Sequence, residues 1–173
     1  MAYPHTHELG LPLKDYRVNG SPFGKDCTYE GVNWGIHLGE DVICEGGTKI
    51  FSIGRGRVVH CQLHAGTKEK GNWGWVAIIA HKNPKTKKVF FSICGHMGRV
   101  FVSKGDTVEL GQKIGTIGAS NTPENGFWET PHLHFAIFTG PWQRKILPGY
   151  FKPEHKRTKL EWWVSPKEFI ERY

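Results

Sequence analysis

From Trp34 onward, short apolar or alternating runs punctuate the chain at residues 50–53, 57–61, 75–80, 89–94, 99–102, 114–117 and 133–138. Each run ends at Gly, Asn, Pro or a charged turn, so each predicts a strand. Seven short strands at that spacing predict a mostly β fold, an antiparallel sandwich or partly closed barrel. Glycines at 105 and 111 bracket residues 107–110 as successive tight turns. Residues 121–130 read as a long loop ending at Pro131, and such a loop beside a chemical site often forms a substrate wall. Residues 1–30 are turn-rich and predict an irregular wrap. Residues 166–173 predict a short closing helix with proline in its first turn.

Composition narrows this picture. The 22 glycines and 10 prolines among 173 residues favour tight turns over long helices. The length suits one domain with a tail. A net charge of +7 favours anionic partners without choosing among them. Its clusters, at residues 82–88 and 152–159, lack the aromatic interleaving or helical register of a nucleic-acid reader, so no nucleic-acid partner is expected. No run approaches ~18 apolar residues, which excludes a membrane-spanning helix, and the first ten residues do not read as a secretory signal. Cys27, Cys44, Cys61 and Cys94 form no Cys-x-x-Cys pair, so reduced thiols are expected rather than a zinc knuckle or a disulfide framework.

The candidate chemistry lies in the ten histidines. His37 and Asp41 stand four apart in Gly-Ile-His-Leu-Gly-Glu-Asp. On a straight strand they would be ~13 Å apart, too far to share an ion, so the chain must bend, and Gly39 is expected to let it do so. Glu40 then aims away from the site. In Pro131-His132-Leu133-His134-Phe135, alternation puts both imidazoles on one face and the apolar pair on the other. His96 ends an alternating strand at Gly95-His96, and the same alternation sets the Cys94 thiol on its face. His5 and His7, flanked by Pro and Gly, read as disordered. Cys61, His60 and His64 imitate a metal cluster but lack a second matching pair. Trp73 and Trp75 are expected on one sheet face, chiefly as core.

Taken in order, His37-x-Gly39-x-Asp41, Gly95-His96, the glycine-punctuated stretch 105–118 and Pro131-His132-Leu133-His134-Phe135 resemble the lysostaphin-type zinc metalloendopeptidases. The likeness covers roughly residues 20–138. It implies a duplicated hybrid motif fold and a division into an N-terminal wrap (1–19), a zinc peptidase domain (20–140) and a C-terminal extension (141–173). It also implies that His37, Asp41 and His134 hold one zinc ion per chain, with His96 and His132 as catalytic imidazoles that are not ligands. Two imidazoles and one carboxylate leave an open fourth position, as in hydrolytic zinc sites.

The activity implied is hydrolysis of peptide bonds in peptidoglycan stems or cross-links at the bacterial envelope, by a monomer. One histidine would accept a proton from the attacking water, and the other would stabilise the oxyanion or protonate the leaving amine. There is no His-Glu-x-x-His motif and hence no helical glutamate-base scheme. Two alternatives stand beside this. Some relatives have lost zinc ligands and act as scaffolds or activators of other wall hydrolases, but all five expected polar residues are present here. The 105–118 stretch also resembles biotinyl or lipoyl carrier hairpins, but no Met-Lys tip is present. Cys94 stands where relatives commonly carry Tyr, and the loop after Gly118 is longer than is typical of them, which detaches substrate preference from the resemblance.

Overall fold

A computed structural model describes residues 2–154 and 156–173. Its strands, in chain order, are β1 (Asp26–Tyr29), β2 (Val32–His37), β3 (Glu40–Ile43), β4 (Lys49–Phe51), β5 (Gly56–His64), β6 (Gly74–Lys82), β7 (Val89–Val100), β8 (Thr107–Val108), β9 (Lys113–Ile117), β10 (His132–Phe138), β11 (Tyr150–Phe151) and β12 (Trp163–Val164). One short helix, α1 (Pro166–Arg172), closes the chain. The protein is mostly β, with antiparallel strand pairing in sheets that do not close. The larger sheet runs β12-β10-β7-β6-β5-β8, with β3 beside β10 and β9 beside β7 and β4. A smaller sheet holds β1, β2 and β11.

The large sheet is buried on both faces. Phe135, Leu133, Ile137, Ile79, Val58 and Met97 belong to one apolar cluster, and Ala136, Phe138, Ile78, Val76, Phe91 and Ile93 to another. Strand β6 therefore reads as an almost unbroken apolar run, as expected for a strand covered on both sides. The second cluster is completed by residues far along the chain, among them Leu147 and Trp163.

Several local expectations are corrected. Runs 89–94 and 99–102 are largely one bent strand, β7, which continues through Gly95 and Gly98 to Val100. Those glycines stay in the strand because a Cβ at 95 would lie 2.5 Å from the Trp73 ring, and one at 98 would lie 2.9 Å from Gly118 Cα. The 1–30 wrap contains β1, whose polar sequence carries no apolar signal and which forms by pairing with β2. His5 is not disordered: it bridges to Lys82, while Tyr3 meets Phe91 edge-on. Trp73 and Trp75 do not share a face. Gly74, at φ +65°, reverses the chain between them, so Trp75 packs on the first cluster and Trp73 on the second.

Two buried polar groups tie distant segments. Glu40 does point away from Asp41. Its carboxylate accepts hydrogen bonds from Tyr16 Oη (2.5 Å), Ser165 Oγ (3.1 Å) and the Lys167 N–H (3.4 Å), joining β3 to the N-terminal wrap and to α1. His81 is fully buried between the Arg55 carbonyl and Ser92 Oγ, at 3.0 and 2.9 Å, and burial lowers its pKa from 6.5 to about 4. The unfolded chain therefore binds a proton below pH 6.5 that the native His81 refuses. This contribution to stability is complete above pH 6.5 and is lost as pH falls towards 4. It amounts to about 3 kcal/mol. In urea unfolding, the stability gap between wild type and His81→Gln is expected to narrow over that window, whereas a constant gap would refute the assignment.

Candidate active site

The bend between His37 and Asp41 is a change of sheet. His37 ends β2 in the small sheet, and Asp41 lies in β3 of the large one. Residues 20–25 clamp the turn. The His37 N–H donates to Lys25 O, the Asp41 N–H to Ser21 O, the Gly24 N–H to His37 O and the Gly20 N–H to Asp41 O. Gly39 serves by its lack of bulk and does not need a left-handed backbone, since its φ is not among the positive ones. A Cβ there would stand 2.6 Å from both His134 Nε2 and Phe135 O.

Strand β10 supplies His132 and His134 at alternate positions, with Leu133 and Phe135 turned into the first core cluster. Its register sets His134 opposite Asp41 on one side and Gly95 on the other. His96 reaches the same face through an irregularity in β7: Trp75 and Ala77, two apart, pair with Met97 and Cys94, three apart. The extra residue, with His96 at φ +60°, breaks the alternation. Cys94 therefore turns into the first core cluster and does not share a face with His96, which corrects the expectation from spacing. Burial pushes its thiol up to about 12.

Three ligand-type atoms converge. His37 Nε2 lies 3.1 Å from His134 Nδ1 and 3.3 Å from Asp41 Oδ1, and His134 Nδ1 lies 3.1 Å from Asp41 Oδ1. At these distances Oδ1 nevertheless has no hydrogen-bond partner in acceptable geometry, and it is buried. One carboxylate oxygen and two imidazole nitrogens are thus gathered in one place, the donor set of a metal site. Tetrahedral zinc with bonds of ~2.0–2.2 Å has ligand-to-ligand edges only slightly longer, so the residues fit a divalent ion. Among the described residues this is the one group of three or more metal-binding side chains so gathered.

The surroundings set the protonation states. The His37 Nδ1–H donates to Pro22 O at 3.1 Å, which leaves the Nε2 lone pair towards the triad. Burial alone would raise the Asp41 carboxyl, but the adjacent His134 and His37 imidazoles together hold it below the ordinary carboxylate range. Burial lowers the His134 imidazole. His96 is lowered well below its usual value, first by burial and then by His132 and His134. Its Nδ1 donates to Asn125 O at 3.0 Å, as His132 Nδ1 does to Thr130 O at 2.7 Å. Each ring is thus anchored through Nδ1, and their centroids are 4.5 Å apart.

The other candidates separate. His60 and His64 bring their Nε2 atoms within 3.0 Å, but Cys61 turns aside to the Val102 carbonyl, so no third ligand joins them. The four cysteines are unbridged. Four aromatic residues beside the site lie outside the motifs. Trp73 stacks on His96 and meets His134 edge-on, Trp128 meets His96, and Tyr150 meets both His37 and Trp34. No local periodicity marks residues 34, 128 and 150 as neighbours. The 121–130 segment is ordered: Asn125 holds both the N–H and the C=O of Trp128, and the Trp128 indole donates to Asn72 O.

Comparison with known proteins follows this geometry. The model of peptidase family M23 matches residues 35–145. Lysostaphin of Staphylococcus staphylolyticus is 31% identical over 105 residues, 61% of this chain and 19% of that protein. The peptidoglycan DD-endopeptidase ShyB of Vibrio cholerae is 31% identical over 102 residues, 58% of this chain and 20% of that protein. The chain thus matches about a fifth of the length of these relatives. A crystal structure of a zinc-containing peptidase from Vibrio cholerae superposes with a TM-score of 0.59 at 27% identity, covering 76% of this chain and 37% of that one.

Proposed function

Because the chain belongs to peptidase family M23, we propose that it is a zinc metalloendopeptidase that hydrolyses peptide bonds in bacterial peptidoglycan stems or cross-links. The observation that carries this reading is the triangle of His37, Asp41 and His134 donor atoms, 3.1–3.3 Å on a side. Beside it lie the imidazoles of His96 and His132, each anchored at Nδ1 by a backbone carbonyl. In this reading His37 Nε2, Asp41 Oδ1 and His134 Nδ1 hold the ion. When bound, zinc supplies Lewis acidity and makes a water acidic enough to deprotonate near neutral pH.

The chain's own residues do the rest. Of His96 and His132, one takes the proton of the attacking water at Nε2, and the other stabilises the oxyanion or returns a proton to the leaving amine. Both rings are oriented by a backbone carbonyl at Nδ1. Tyr150, on β11 beside His37, lies past residue 145, where the family match ends, which supports treating 141–173 as part of the catalytic unit. The site of action proposed is the bacterial envelope. Among the described residues, no helix is long and apolar enough to cross a membrane.

The reading is tested by incubating the protein on purified cell walls with and without a chelator and identifying newly freed amines by mass spectrometry. Chelator-sensitive release of peptide amines is expected, restored by added zinc. Release that survives complete removal of metal would overturn the mechanism. No release by the zinc-loaded protein would favour the scaffold alternative.

A further inference from the structure

His60 and His64 form a close imidazole pair that the hydrolytic reading leaves unused. Both belong to β5, four residues apart, and a straight strand sets such positions ~13 Å from each other. Their side chains nevertheless bring the two Nε2 atoms to 3.0 Å, with ring planes 14° apart and ring centres 5.2 Å apart. Face-to-face rings with nitrogens that close would have much closer centres. The rings therefore lie nearly in one plane and meet nitrogen to nitrogen, each reaching along the strand towards the other.

Two Nε2 lone pairs do not face each other at this distance unless something positive lies between them. A proton serves when one ring is the Nε2–H tautomer and donates to the other. A metal ion serves when both rings are Nδ1–H tautomers and both Nε2 lone pairs are free. A second proton is opposed by the surroundings. Burial first, then the charges of His64 and Lys104, lower the His60 imidazole to about 4, and burial lowers His64 as well. Near neutral pH the pair is thus unprotonated, the state in which imidazole binds metal.

The geometry is close to that of a chelate. Nitrogens on adjacent corners of an ion with bonds of ~2.0–2.1 Å stand about 2.9–3.4 Å apart. The separation is already in this range, and rings that share a plane need only tilt within it for their lone pairs to converge. The pair is also within reach of solvent. His64 is only half-buried, and β5 pairs with β8 only at Gly56 and Arg57, which leaves its far half paired with β6 alone. Cys61 turns to the Val102 carbonyl, so the remaining coordination positions fall to water. The other neighbouring pair, His5 and His7, differs in kind, because Lys87 Nζ already sets a cation 2.5 Å from His5 Nε2.

We propose that His60 and His64 form a second metal site, separate from the triangle of His37, Asp41 and His134, which takes a borderline divalent ion such as zinc or copper(II) through two imidazole nitrogens and water. Imidazole donors select against magnesium and calcium, which take oxygen ligands. On binding, the shared proton leaves Nε2 for Nδ1 of its own ring through solvent, so no net proton is released. Two ligands hold the ion loosely. Dialysis removes it, and it is detected at equilibrium.

The test is a zinc titration of full-length, 15N-labelled protein that already holds one equivalent of zinc. It is read at the ring nitrogens of His60 and His64, so that ions held elsewhere do not register. Both Nε2 signals are expected to move together to the metal-bound position, with half-saturation below about 1 mM. Magnesium in place of zinc should move neither. Replacing the half-buried His64, as His64→Gln, is expected to weaken zinc uptake at His60 by at least about tenfold. His134→Ala, which lacks a corner of the triangle, should keep the response at His60 and His64, so the outcome is independent of whether the protein hydrolyses wall peptide. The proposal is overturned if the wild-type pair keeps the signals of one protonated and one unprotonated Nε2 throughout the titration. It is equally overturned if His60 in folded His64→Gln responds to zinc as it does in wild type.

Discussion

His134→Ala is expected to leave a folded protein that no longer retains a divalent ion through dialysis and no longer hydrolyses wall peptide. His134 Nδ1 is one corner of the triangle, 3.1 Å from both of the other donors. Without it the ion keeps one imidazole and one carboxylate, and the Asp41 carboxylate loses a principal contact holding it ionised in a largely buried position. The neighbouring His132→Ala is expected to behave oppositely. That ring contributes no atom to the triangle, so metal content should stay at one ion per chain while turnover falls about 10²- to 10⁴-fold, the usual scale for losing a general acid or base. Metal analysis of dialysed protein, paired with initial rates on wall peptides, separates the two. If both variants bound metal and hydrolysed like wild type, the division of roles would be wrong. If His134→Ala alone kept its metal, the triangle would not be the metal site.

The contrast between His132 and His134 also shows why this part of the site was readable in advance. Both lie in a regular strand, where alternation fixes a common face from sequence alone. The strands that carry strong apolar runs were legible for the same reason. His96 was only half legible. Its place at the end of β7 follows from the run before it, but the face it presents depends on an extra residue in the β6–β7 register and on a positive φ. Alternation across that irregularity misplaced Cys94, and a similar break at Gly74 misplaced Trp73 and Trp75. Strands β1, β3, β11 and β12 are two to four residues long. Such segments exist because a neighbour pairs with them, and their own residues do not announce it. Trp34, Trp128 and Tyr150 belong to the same class. They meet only once two sheets and an ordered loop are assembled, so spacing along the chain carries no trace of their contact.

Gly39→Ala is expected to have a large effect for one added carbon, and for a reason that spacing did not supply. A glycine between His37 and Asp41 suggests a flexible hinge. In the folded chain the position is a close approach instead, where an added Cβ would stand 2.6 Å from His134 Nε2 and 2.6 Å from the Phe135 carbonyl oxygen. The first neighbour is the ring of a proposed ligand, and the second is the main chain of β10, which is held by β3 on one edge and β7 on the other. Neither can yield without parting Asp41 from His134 in the register that opposes them. The variant is therefore expected to lose about 1–3 kcal/mol of stability to overpacking and, with all three ligands still present, to bind zinc far more weakly than wild type. Gly47→Ala is the matched control. Gly47 has φ +86° and nothing within 4 Å of its would-be Cβ, so its replacement strains a turn without touching the site. It should lower the urea midpoint comparably and leave zinc affinity unchanged. Zinc titration of the two variants side by side isolates the local effect from the global one. Equal affinities in both would mean that β3 and β10 can separate by several tenths of an ångström without disturbing the ligands, and that the tight packing behind His134 does not hold the triangle in shape.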